Sequence, residues 1–148
     1  MKASAADARV AAERLFRSGL VEDRELLETG TIGDPLPVRA PGGAAAGWVI
    51  PVLARGRLCS FFQFDARLTL LRYSAFPKSR GPEMSAWSNP VSIALAKFPD
   101  ALPAGEPYLS YDRDPSRVVW AVPVRGERVI FVAGDYAYLP SEEDGVTG

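Results

Sequence analysis

A chain of 148 residues with a formal net charge of −1 carries no global field to gather nucleic acid or an anionic membrane surface. With 47% hydrophobic and 24% charged residues it reads as one soluble domain, 1–148, able to bury roughly 68–70% of its unfolded surface without staples. Histidine is absent and cysteine occurs once, which excludes Ser-His-Asp and Cys-His nucleophile pairs, an intrachain disulfide and the usual catalytic zinc or iron arrangements.

The N-terminus predicts a helix. Ser4 can cap it, and ADARVAAERLFR places Ala8, Ala11, Ala12, Leu15 and Phe16 on one face, with Gly19 ending it. Asp7, Arg9, Glu13 and Arg14 interrupt the apolar region that a signal peptide needs, and no window approaches 18 consecutive apolar residues. The chain is therefore read as a cytoplasmic protein. Its basic residues are mostly arginine, with Lys2, Lys78 and Lys97 the lysines. Together with the many Ala, Gly and Pro residues this is attributed to GC-rich bacterial coding rather than to nucleic-acid affinity.

A short helix over Glu22–Glu28 turns Leu26 and Leu27 inward. Thr31–Gly47 is too rich in Pro and Gly for more than a short extended piece at Pro37–Arg39. Three strands follow near 48–54, 58–64 and 68–75, with turns at Arg55-Gly56-Arg57 and Asp65-Ala66-Arg67, an antiparallel meander. Apolar residues on both faces of its middle strand place that strand centrally, covered on both sides. After a loop over Pro77–Trp87, Asn89-Pro90 opens a helix over VSIALAKF. Tyr108–Tyr111 and a turn at Asp112–Pro115 lead to a second meander near 117–124, 128–133 and 136–139. The polar tail 141–148 is expected to fray.

The predicted fold class is thus α+β, with antiparallel sheet from two three-stranded meanders, each preceded by helix. Slid over each other without gaps, VLARGRLCSFFQFD falls on VPVRGERVIFVAGD. Val52/Val122, Arg55/Arg125, Gly56/Gly126, Phe61/Phe131 and Asp65/Asp135 are then identical. Two origins account for this: a tandem αβββ duplication with half-repeats 1–76 and 88–140, or two Gly-turn hairpins of similar length. Pro51 and Pro123 lie in the first strands, where proline implies an exposed edge. Halves sharing one sheet are then expected to join through their third strands.

Tyr108-Leu109-Ser110-Tyr111, Arg117–Val122 and Arg128–Val132 resemble the PepSY family, a small helix-plus-three-strand module of secreted propeptides and bacterial envelope proteins. The resemblance covers the last third of the chain and, through the repeat, part of the first half. It implies an αβββ module. The family's aspartate-x-x-threonine-glycine turn is replaced here by Gly134-Asp135, and a propeptide role does not fit a chain without a signal peptide. Gly56–Asp65 is similar to the Gly-turn hairpins of PAS-type sensory domains.

Of the residues able to do chemistry, Cys59 reads as a buried inert thiol, and Asp65, Asp112, Asp114 and Asp135 as turn aspartates satisfying their own backbone. PGGAAAG precedes a strand and lacks the Lys-Ser/Thr of a phosphate loop. No catalytic residue, metal ligand or cofactor is assigned. Arg80, Met84, Trp87 and Tyr111 are the candidate partner-binding residues, being types enriched at binding hot spots on or beside one loop. The competing role for Met84 and Trp87 is to plug the end of the sheet. The leading expectation is a non-enzymatic module that binds another protein or itself. Its alternatives are a small-molecule sensor or carrier with an aromatic pocket between sheet and helices, and a carboxylate-dependent enzyme.

Overall fold

A computed structural model describes residues 3–76 and 81–140. The first helix, α1 (Ala5–Phe16), begins where the sequence predicts. The Ser4 side chain accepts from the Asp7 amide, and Asp7 accepts from the Ser4 amide in return, closing a capping box. Asp23 caps α2 (Arg24–Thr29) by accepting from the Leu26 amide. The stretch expected to be a loop contains two strands, β1 (Thr31–Ile32) and β2 (Leu36–Arg39), the second close to the extended piece foreseen at 37–39. The first meander is β3 (Ala45–Ala54), β4 (Arg57–Asp65) and β5 (Leu70–Ala75). The Arg55 and Gly56 φ angles of 55° and 76° give its first turn the doubly left-handed form that suits a two-residue hairpin.

The connection that follows carries a single helical turn, α3 (Met84–Trp87). It lies against the start of β4, with Leu58 donating to Pro82 O and Met84 donating to Gly56 O. A Cβ at Gly81 would overlap the Leu58 carbonyl and the Phe76 ring, so glycine is what allows this close approach. Next comes α4 (Pro90–Lys97). Asn89, expected to cap α4, makes no side-chain cap bond; proline at N1, with its preset φ, marks the start instead. The chain ends in β6 (Tyr108–Tyr111), β7 (Val118–Val124), β8 (Arg128–Ala133) and β9 (Tyr136–Tyr138). The expected frayed tail, 141–148, lies outside the described residues.

The fold is α+β. Its nine described strands form one mostly antiparallel sheet in the order β5-β4-β3-β2-β6-β7-β8-β9, with β1 beside β3. The halves do not join through their third strands, which form the two outer edges. They join through β2 and β6, the one parallel pair among the described strands, at Val38↔Leu109. Ser110 Oγ donates to Arg39 O across this seam at 2.8 Å, and the Arg39 guanidinium lies 5.0 Å from the Tyr108 ring centroid.

Nor are the first strands open on one side. Pro51 is buried, flanked by β4 and by β1 and β2. It sits where the neighbouring chain passes from β1 to β2, so its missing N–H leaves no gap, and its carbonyl accepts from Gly33 at 2.8 Å. Pro123 is placed alike, just beyond the end of β6, and accepts from Ala104 at 2.9 Å. The ladders also correspond. Val52 pairs with Ser60 and Pro51 with Phe61; at the matching positions of the second meander, Val122 pairs with Ile130 and Ala121 with Phe131.

Side chains of paired residues share a face, so faces can be followed across the sheet. Val49, Val38, Leu109, Trp120 and Val132 lie on one side and Ile50 and Phe62 on the other. Helix α1 covers the second side in the first half, burying Ala8, Ala12 and Phe16 with Ile50, Val52, Phe62 and Phe64. Helix α4 covers the first side in the second half, packing Ala94 with Val122, Val132 and Ala137. Each helix thus lies over register-equivalent strand positions, yet on opposite faces of the common sheet. The face of β4 turned away from α1 is covered by no helix of its own. Among the described residues no helix is long and apolar enough to cross a membrane.

Candidate ligand-binding cleft

That uncovered face forms one wall of a cleft. Phe61 and Gln63 of β4 project to it, joined by their ladder partners Ser74 and Arg72 of β5. The sheet brings Leu109, Val118, Trp120 and Val132 of the other half to the opposite wall. Trp87 roofs it, its ring 5.3 Å from that of Trp120 and edge-on at 63°. The inner part encloses about 370 Å³, within the range of small-molecule sites. An outer part of about 500 Å³ shares Phe61, Gln63 and Arg72 and runs on to Asp112, Arg117, Tyr136 and Tyr138.

Two polar groups distinguish this cleft from a gap in packing. Gln63 is only 3% exposed, and its Oε1 has no hydrogen-bond partner among the described residues. The buried Trp120 Nε1, a donor, has none either. Leaving a buried acceptor or donor unpaired costs about 1–3 kcal/mol each, and native structures seldom keep such groups without cause. Here the residues carrying one such acceptor and one such donor line the same apolar space. The third such atom, Ser60 Oγ, is in β4 on the side facing α1, away from the cleft.

At the outer end, Tyr138 OH donates to Asp112 Oδ2 at 2.6 Å. Burial, and then this bond to a carboxylate, push the Tyr138 phenol up to about 12. Asp112 also lies 3.8 Å from Arg113 Nε. The Arg72 side chain, by contrast, forms no hydrogen bond or ion pair among the described residues.

The residues singled out in the sequence divide between the cleft and its surroundings. Trp87 is half-buried in the roof, in one apolar cluster with Tyr111, Phe61, Val49 and Leu109. Met84 is half-buried and held by its amide to the β3–β4 turn. Arg80 lies outside the described residues. Cys59 is buried, and burial pushes its thiol up. Asp65 accepts from the Arg67 and Thr69 amides, and Asp114 from the Ser116 amide and hydroxyl, each serving its own turn. Among the described residues no three His, Cys, Asp or Glu side chains gather as a metal site would require. Sequence reasoning missed Gln63, Trp120 and Arg72. The available signal was Gln63 itself, a lone amide inside the apolar run SFFQF of a strand read as buried on both sides.

Compared with protein-family models, curated proteins and solved structures, the chain matches none.

Proposed function

We propose that this protein is a non-enzymatic small-molecule carrier or sensor whose ligand occupies the cleft between the two halves of the sheet. The observation that carries the reading is a pair of residues, Gln63 and Trp120, that line one apolar space of metabolite size and each carry an unpartnered buried polar atom. A bound molecule that accepts from the indole and donates to the amide would satisfy both and exclude water from the walls. The site departs from a pocket between sheet and helices in that the strands of both halves supply its walls. A thermal-shift screen against a metabolite collection tests the reading, because a ligand that binds only the folded chain raises Tm by mass action. Gln63→Leu should abolish the response to any hit. A hit whose effect survives both Gln63→Leu and Trp120→Phe binds elsewhere and sinks it.

A second reading, a module that binds another protein or itself, is favoured by the outer strands. Among the described residues β5 and β9 each have one edge unpaired in the ladder, and Leu71 and Tyr136 are exposed on them. Sedimentation across a concentration series separates it from the first, since occupancy of the cleft needs no association.

The two halves are further proposed to be repeats of one helix-plus-meander unit, each extended by a leading strand. The correspondence of ladder positions between the meanders and the equivalent placement of α1 and α4 support this. The repeats are then related by an approximate two-fold axis running along the β2–β6 seam, which keeps those strands parallel while exchanging the faces of the sheet.

A further inference from the structure

Resting on the cleft reading, we infer that the ligand is an amphipathic carboxylate: an apolar body with a hydrogen-bonding group within it and a carboxylate at the outer end. The inner walls are Phe61, Trp87, Leu109, Val118 and Val132, which suit a hydrocarbon or aromatic body. Gln63 and Trp120 supply the unmet acceptor and donor beside that body. The charge lies farther out. Arg72 and Arg117 line the outer part with one carboxylate, Asp112, already engaged by Tyr138 and Arg113. Arg72 has no anionic partner among the described residues. It is the ladder partner of Gln63, so cation and buried amide stand side by side on adjacent strands. A guanidinium takes a carboxylate through paired N–H donors, which a neutral headgroup cannot exploit.

The experiment titrates the full chain with decanoate and with decanol, following the Trp120 indole and Gln63 carboxamide signals by NMR. Decanol is the easier of the two to desolvate, so preference for decanoate requires a cation at the site. Decanoate is expected to bind about fivefold more tightly, a modest ratio suited to a partly solvated pair. Arg72→Gln, an exposed substitution that leaves the core intact, should bring the two affinities together while decanol binding stays unchanged. Equal affinities in the unaltered protein, or a ratio untouched by both Arg72→Gln and Arg117→Gln, overturn the carboxylate inference and leave the cleft reading standing. If neither compound moves the Trp120 or Gln63 signals, the carboxylate inference fails, and the cleft reading stands or falls on the metabolite screen.

Discussion

The two halves share a plan but fill it differently. In the N-terminal half, α1 and α2 pack over Ile50, Phe62 and Phe64 and bury Phe16 of α1 with them; Phe62 stacks 6.2 Å from Phe64 and lies tilted 4.9 Å from Tyr73. In the C-terminal half the one helix packs over valines, Ile130 and alanines. Large rings need thick cover and give the first half the bulkier core. Small side chains let α4 lie close on a core with less apolar area to bury. The same contrast explains the cleft. The linking segment 81–87 roofs one uncovered face with Pro82 and Trp87, whereas Val119, Ala121 and Phe131 close against Tyr108 and Tyr138 on the other.

This asymmetry can be broken by substitution. Phe62→Ala should destabilise by about 3–5 kcal/mol in urea melts, while Val132→Ala, at the matching position of the second meander, should cost nearer about 1.5–3 kcal/mol. Equal losses would mean that the halves are packed alike. Tyr138→Phe should cost roughly 1–2 kcal/mol, the low end for a bond to a charged group because the pair is partly exposed. Its pH dependence has a definite sign. The phenol is held neutral in the fold, so its contribution is complete below pH 10, the ordinary tyrosine value, and is lost as pH rises through about 12. The stability gap between wild type and Tyr138→Phe should therefore narrow over that window and stay constant below it, as read by denaturation at stepped pH.

Smaller effects separate the cleft from the core. Gln63→Leu removes an unpaired acceptor and should raise the stability of the ligand-free protein by up to about 1–2 kcal/mol while abolishing ligand binding. A group needed for folding would show the opposite sign. Ser60→Ala, which touches the α1 side, should be neutral or stabilising by less than about 1 kcal/mol and leave ligand binding untouched.

Much of this architecture was legible in the sequence because it is local. The capping box at Ser4 and Asp7, the Arg55-Gly56 turn and the Asp65 turn are each decided within a few residues. What joins the halves was not. Val38 and Leu109 lie far apart in the chain and are paired by two short strands, and neither LPVR nor YLSY carries a sign of its partner. Proline misled for a related reason: at Pro51 and Pro123 a missing donor suggests an outer strand, but each faces a break in the neighbouring chain. Trp87 and Tyr111 stand out by residue type alone and do meet in one cluster beside the cleft. Gln63, Trp120 and Arg72 become a constellation only when strands from both halves face one another.

The parallel seam has a consequence for how the molecule assembles. The other described strand pairs form within one half, nearly all across short loops, so each ribbon can zip up early and alone. The seam alone must wait for two finished ribbons to meet, which makes it the late event on the folding route. Weakening it with Ser110→Ala should leave the refolding rate nearly unchanged and speed unfolding, a one-sided shift in the chevron. The ligand would then bind across the boundary that closes last, and its presence would lengthen the lifetime of the native state.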